Sequence, residues 1–385
     1  MNSLLEEFAA QLNSHFFLSE YSFDKNKFRA ASGQELELAD HIIALPDALF
    51  VFQIKERGSG AGPDEASVEE WFRQKVLKNG CGQIADSLRF LKDQPSLLVE
   101  NSRGHKHNLA SLKRSMIPIL LYSSGPTLPS GVQLKNHHIS RRAGFVHVLH
   151  IADYYHLCHT LALPSELISY FSFRQEVLLR NPGHRWEEAR ITTQFIAETQ
   201  EPLGNEEARE YLQKASDDIS SFDLAPILRR FGERVTYLTG NGSDLDYYKI
   251  LGEFSRLNRA EMRGFKRLLT WALDNAGRES VDIPARMQSL NTGTGFVVFP
   301  VHKDGFESRL TALNNFATAA KYDFRLERQI GLSVAHDGEE VELDWIYIEH
   351  PWHHEPEIEE ALAKSYPFRS KPNPRIEYRY PSVSR

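Results

Sequence analysis

Short apolar runs mark the N-terminal part of the chain, and the clearest pair flanks Pro46-Asp47: Ile42-Ile-Ala-Leu45 before it and Ala48-Leu-Phe-Val-Phe52 after it. Pro46 supplies a fixed φ and Asp47 a polar, turn-compatible centre, so the stretch predicts a β-hairpin with an even-length loop. If Leu45 pairs with Ala48, Asp40 faces Gln53. Directly opposed Cβ atoms lie about 4.5–5.5 Å apart, and Lys55, two residues on, projects from the same face as Gln53. Phe50, Phe52 and Ile54 then point the other way, into a core. The pattern gathers an acid, a carbonyl ligand and a lysine at one point, with Asp40 expected at the rim of the site.

Helical spacing follows. Ser67 with Glu70 forms a capping-box pattern that predicts a helix through Trp71 and Val76, broken or kinked at Asn79-Gly80, with Gln83 on the second piece. Met116–Tyr122 and Phe145–Ile151 read as buried strands that complete a mixed sheet, and from Tyr154 to Leu179 the apolar period is that of helices. A first boundary is expected near Arg180-Asn-Pro-Gly183. Residues 181–285 are expected to be mainly helical, with the acidic run from Glu198 to Asp223 as a solvated face. The remainder, 286–385, reads strand (Phe296–Val301), helix (about 306–320), then strands Gln329–Ala335 and Val341–Glu349 across a turn at His336-Asp-Gly338. The expected fold class is α/β: a mixed N-terminal sheet flanked by helices over 1–180, a helical middle, and a small α+β C-terminal domain.

A chain of 385 residues is too long for one compact core. No apolar run approaches the roughly 18 residues of a membrane span, the N-terminus lacks the basic start of a secretory signal, and Cys81 and Cys158 form no disulfide or zinc pattern. A cytoplasmic protein without membrane contact is expected.

The Asp40, Gln53 and Lys55 set has a chemical use. Mg²⁺ takes oxygen ligands at about 2.0–2.1 Å, which a carboxylate, a side-chain carbonyl and a strand carbonyl can partly supply. A neighbouring ammonium can orient an attacking water or stabilise charge on a phosphate. On Asp40 and Gln53-Ile54-Lys55 the chain resembles the PD-(D/E)xK nuclease superfamily, the restriction-endonuclease-like fold, in the Q-x-K variant of Mrr-like nucleases. The resemblance covers the first 150 to 175 residues. It implies Mg²⁺ or Mn²⁺ bound by Asp40 and Gln53, a further acid from the first helix (Glu6 or Glu7, with Glu37 as runner-up), and Gln83 on the following helix as a backbone-positioning residue.

Charge adds a second signal. The net charge is −7, yet between Glu100 and Asp153 no acid occurs, while Arg103, Lys106, Lys113, Arg114, Lys135, Arg141 and Arg142 do, among six histidines. Such a block beside a metal site suits a phosphate-bearing polymer, so Arg103, Lys106, Lys113, Arg114, Arg141 and Arg142 are the expected nucleic-acid contacts. Gly293-Thr-Gly295 precedes a strand and reads as a turn, not a dinucleotide cradle. His350-Pro-Trp-His353-His354 lacks a second half-site of zinc spacing and reads as a loop before a helix after Pro356. The tail from Lys364, with Arg369, Lys371, Arg375, Tyr378, Arg379 and Tyr380, has the composition to neutralise and stack on nucleic acid.

The expectation is a Mg²⁺- or Mn²⁺-dependent endonuclease acting on DNA, with RNA left open, in restriction or anti-phage defence, partnered by a second copy of itself or by a defence-system protein. The alternative is a non-catalytic nucleic-acid-binding or assembly subunit that retains the fold.

Overall fold

The computed structural model describes the chain apart from residues 1–2, 25, 30–32, 59–63, 95, 110–113, 126–134, 181–185, 202, 232–246, 280–282, 338–339, 369–377 and 381–385. Lys113, the 181–183 boundary and the tail residues Arg369, Lys371 and Arg375 therefore lie outside the described residues. The chain divides into two compact units, one of residues up to Ser216 and one from Asp217 to Pro381. That division falls inside the segment 181–285 expected as a helical middle, so its helices are shared between the units.

The first unit begins with α1 (Leu4–Phe16), whose N-terminus closes in a capping box: Ser3 Oγ accepts from the Glu6 amide while Glu6 Oε2 accepts from the Ser3 amide. There follow β1 (Ser22–Phe23), the hairpin β2 (Lys27–Arg29) and β3 (Glu35–Glu37), then β4 (His41–Ala44) and β5 (Ala48–Glu56). The β4–β5 register runs from His41 opposite Phe52 to Ala44 opposite Leu49, which is the pairing read from Pro46-Asp47.

A long helical stretch leads from β5 to its parallel neighbour. It comprises α2 (Glu65–Trp71), a π-helical segment (Phe72–Gly80) and α3 (Cys81–Asp93). Two expectations are corrected here. The N-cap is Asp64, whose Oδ1 accepts from the Ser67 amide at 2.8 Å, so Ser67 lies inside the first turn. The helix also does not break at Asn79-Gly80: Gly80 has helical φ −60° and ψ −46°. Its lack of a side chain serves packing, because a Cβ there would stand 2.5 Å from Leu120 Cδ1.

After the hairpin β6 (Leu98–Glu100) and β7 (Lys106–Asn108) come β8 (Ser115–Ser123), β9 (His137–Ser140) and β10 (Gly144–His150), then α4 (Ile151–Leu161), α5 (Pro164–Arg180), α6 (Glu188–Ala197) and α7 (Asn205–Asp217). The six-stranded sheet has the order β1-β4-β5-β8-β10-β9; β5, β8 and β10 are mutually parallel and the other pairs antiparallel. Both faces of β5 are covered, which explains a continuous apolar run where a half-exposed strand would alternate. One face meets the long helix: Leu49 and Val51 join a core with Leu91, and Leu120 and Val146 one with Val76 and Ile84. On the other, Phe50 meets Phe171 of α5 at 5.9 Å and Phe52 meets Tyr154 of α4 at 5.8 Å.

The second unit carries short helices α8 (Ile219–Phe222) and α9 (Ala225–Leu228), then α10 (Tyr247–Arg256), α11 (Arg259–Asn275), β11 (Ala285–Gln288), β12 (Gly295–Pro300), α12 (Arg309–Phe324), β13 (Arg328–Asp337), β14 (Glu340–Glu349) and α13 (Pro356–Lys364). Its four-stranded sheet has the order β11-β12-β13-β14, with β12 and β13 parallel across α12 and the remaining pairs antiparallel. The chain is thus of mixed α/β class, with a helix-flanked mixed sheet and a separate C-terminal sheet domain. Among the described residues no helix is long and apolar enough to cross a membrane.

Candidate active site

Asp40, Gln53 and Lys55 meet where β4 ends and β5 continues alone. The Asp40 amide donates to Phe52 O at 3.1 Å, and Asp40 Oδ2 accepts from the Ile54 amide at 2.6 Å, so the carboxylate takes the place of the next ladder partner. Lys55 Nζ lies 3.3 Å from Gln53 Oε1, 3.0 Å from Ile54 O and 3.6 Å from Asp40 Oδ2. Three oxygens therefore converge on one ammonium. The Lys55 and Asp40 side chains are only 19 % and 16 % exposed, and Gln53 is buried. Asp40 is accordingly less of a rim residue than the strand pattern suggested: its carboxylate holds backbone as well as lysine.

The electrostatics follow from that position. Burial raises the Asp40 carboxyl above its ordinary value, Lys55 and the Ile54 amide oppose the rise, and the charge of Glu6 adds to it. Glu37 is also raised, first by its partial burial and then by Asp40, with Lys27 opposing and Glu6 contributing. Of the two candidates on α1, Glu6 is thus the one whose field reaches Asp40. Glu7 is exposed.

The donor set is of the kind a hard dication takes: one carboxylate, one amide oxygen and one strand carbonyl around a common point. It is poor in charge, and among the described residues no group of three or more His, Cys, Asp or Glu is arranged to hold a metal ion. Gln83 is exposed on α3 and makes no hydrogen bond to Asp40, Gln53 or Lys55.

The basic interval does not form one surface. Arg103 pairs with the buried Glu20 at 2.7 Å. Arg114 is half-buried, and burial pushes its guanidinium down to about 10. Lys106 is exposed on β7, opposite Glu100. Arg141 and Arg142 are exposed in the β9–β10 turn, with Arg142 held by Asp86 at 2.6 Å. Sequence reasoning also missed a buried polar network on the other side of the sheet. Arg174, fully buried, donates to both carboxylate oxygens of Glu188 at 2.8 and 2.9 Å and to the carbonyl oxygens of Asn136 and Val148. Tyr170 also donates to Glu188, and the ring of His147 lies 3.1 Å from the guanidinium.

No protein-family model, no curated protein and no solved structure matches the chain.

Proposed function

We propose that the N-terminal unit is the catalytic unit of a Mg²⁺- or Mn²⁺-dependent nuclease that hydrolyses DNA phosphodiesters. The observation that carries this reading is the convergence of Asp40 Oδ2, Gln53 Oε1 and Ile54 O on Lys55 Nζ at the free end of an antiparallel hairpin. The resemblance of Asp40 and Gln53-Ile54-Lys55 to the PD-(D/E)xK superfamily supports it, as does the order helix, hairpin, long helix, parallel strand. The restriction or anti-phage role rests on that resemblance alone.

In this reading water attacks phosphorus, the bond to the leaving oxygen breaks, and that oxygen ends protonated. The Lys55 ammonium offsets the charge that grows on the non-bridging oxygens, and a mostly buried donor does so more strongly than one in water. Gln53 and Ile54 O orient the ammonium, and Asp40 fixes the strand end that carries both. Asp40, Gln53 and Ile54 O are the groups that would hold the dication, with Glu6 as the nearest further acid; a dication there supplies Lewis acidity toward water and phosphate.

The test is supercoiled DNA incubated with Mg²⁺ or Mn²⁺. Lys55→Ala and Asp40→Asn are expected to slow nicking by about 10²-fold or more, the loss seen when one stabilising donor is removed. Wild-type protein that leaves DNA intact in both metals, or Lys55→Ala cleaving at the wild-type rate, refutes the assignment. Gln53→Glu adds a second carboxylate and should lower the metal concentration needed; an unchanged requirement argues against Gln53 as a ligand.

A second reading is a non-catalytic DNA-binding or assembly subunit. The presence of the neutral Gln53 beside a single carboxylate favours it, and Lys55→Ala that binds DNA as wild type does, with neither protein cleaving, is its signature.

A further inference from the structure

A groove of about 480 Å³ runs between the π-helical segment and the β9–β10 edge. Its walls carry Arg73, Lys78, Lys135 and Arg142, with Gln74 and His138, and no carboxylate. Arg73 is held by Glu70, with Nε at 3.1 Å, and Arg142 by Asp86. Lys78 and Lys135 are exposed and have no acidic partner among the described residues. Two free ammonium groups facing each other across a channel, flanked by two held guanidinium groups, form a track for successive anionic groups. No aromatic ring lines it, so it offers no platform for stacked bases.

The helix geometry bears on this independently. Arg73 and Lys78 are five residues apart, which on an α-helix turning about 100° per residue separates them by roughly 140°. In the segment Phe72–Gly80 hydrogen bonds close i to i+5, and both residues reach one groove. π-helical turns are rare and concentrate at functional sites. The groove also begins beside the candidate site: Phe72 packs edge-on against Tyr122 at 5.1 Å, and Tyr122 lies opposite Lys55 in the β5–β8 register. From Arg73 to Ala85 the helical wall is roughly 18 Å long at about 1.5 Å per residue, enough for about five phosphates of one DNA strand.

We propose that this groove holds the phosphate backbone of the DNA strand leading to Lys55, without regard to base sequence. The proposal rests on the nuclease reading for the identity of its ligand. Binding of a duplex DNA oligonucleotide to the full chain, measured by fluorescence anisotropy over a salt titration in the Lys55→Ala background, tests it. Lys78→Ala with Lys135→Ala should lower the log–log salt slope by about 1.8, since each lost phosphate contact removes about 0.9. Lys92→Ala, an exposed lysine on the same helix outside the groove, should leave the slope unchanged. An unchanged slope in the double variant, or an equal loss in Lys92→Ala, overturns the proposal. An equal groove-dependent loss with RNA of the same length overturns the assignment to DNA. Wild-type cleavage is scored separately: groove-dependent binding without cleavage upholds the groove and refutes the nuclease, and cleavage with groove-independent binding does the reverse.

Discussion

His41 should make the first unit acid-labile. It lies at the start of β4, is 1 % exposed, and its Nε2 shares a hydrogen bond of 3.0 Å with Ser22 Oγ, while Nδ1 has no partner. A protonated ring would bury a charge with one unsatisfied N–H, so burial pushes the imidazole from 6.5 down to about 4. Above pH 6.5 the ring is neutral whether the chain is folded or not, and its titration favours neither state. Between pH 6.5 and 4 the unfolded chain takes up a proton that the folded chain refuses, so stability falls as pH falls through this window. At about 1.36 kcal/mol per pH unit the gap from 6.5 to about 4 amounts to about 3 kcal/mol in full. The perturbation is His41→Gln, which keeps a polar group toward Ser22 and removes the titration. Hydrogen exchange of the β4 and β5 amides at pH 7.5 and 4.5 reads the stability of this unit apart from the rest of the chain. On going to pH 4.5 wild type should lose about 2–3 kcal/mol more than His41→Gln, with His107 and His147 titrating alike in both. An equal loss in the two proteins refutes the argument that this ring is held neutral by burial.

Arg174→Met should cost about 3–5 kcal/mol in exchange protection of α5, because Glu188 is left as a buried carboxylate without its guanidinium; Arg174→Met with Glu188→Leu should recover most of it. Arg103→Ala and Arg141→Ala should separate two roles within the basic interval. Arg103→Ala leaves the buried Glu20 unpaired and should destabilise the fold by about 1–3 kcal/mol, while Arg141→Ala, exposed in a turn, should change stability by less than about 0.5 kcal/mol in the same denaturant titration.

The hairpin was legible because its information is local. Pro46-Asp47 sets the loop, the loop sets the register, and the register decides that Asp40 and Lys55 share a face with Gln53. The strands of the second unit were legible for the same reason, since β13 and β14 pair over ten residues across one turn. Ser67 misled because Asp64 also fits an N-cap, and the choice depends on where the preceding loop delivers the chain. Gly80 misled because a helix breaker and a close approach use the same residue; only the position of Leu120 on β8 separates them. The basic interval was a true property of the sequence but not of one surface. Which arginines stay free depends on Glu20 and Asp86, acids that lie outside the interval. Arg174 and Glu188 were out of reach altogether, since they sit on different helices and meet only through the way α5 and α6 cross.

The π-helical segment also bears on which length changes this chain can tolerate. Loops at the ends of the long helix can gain or lose residues at little cost, because the chain there has no phase to keep. Inside Phe72–Gly80 the residue count sets the rotation of everything that follows. Deleting one residue would relax the segment toward an ordinary α-helix but turn α3 by roughly 100°, carrying Ile84 and Ala85 off the sheet and bringing polar neighbours onto Leu120 and Val146. The nine residues that look most irregular are therefore those in which a one-codon deletion should be least survivable, while substitutions at the exposed Arg73 or Lys78 leave the fold untouched.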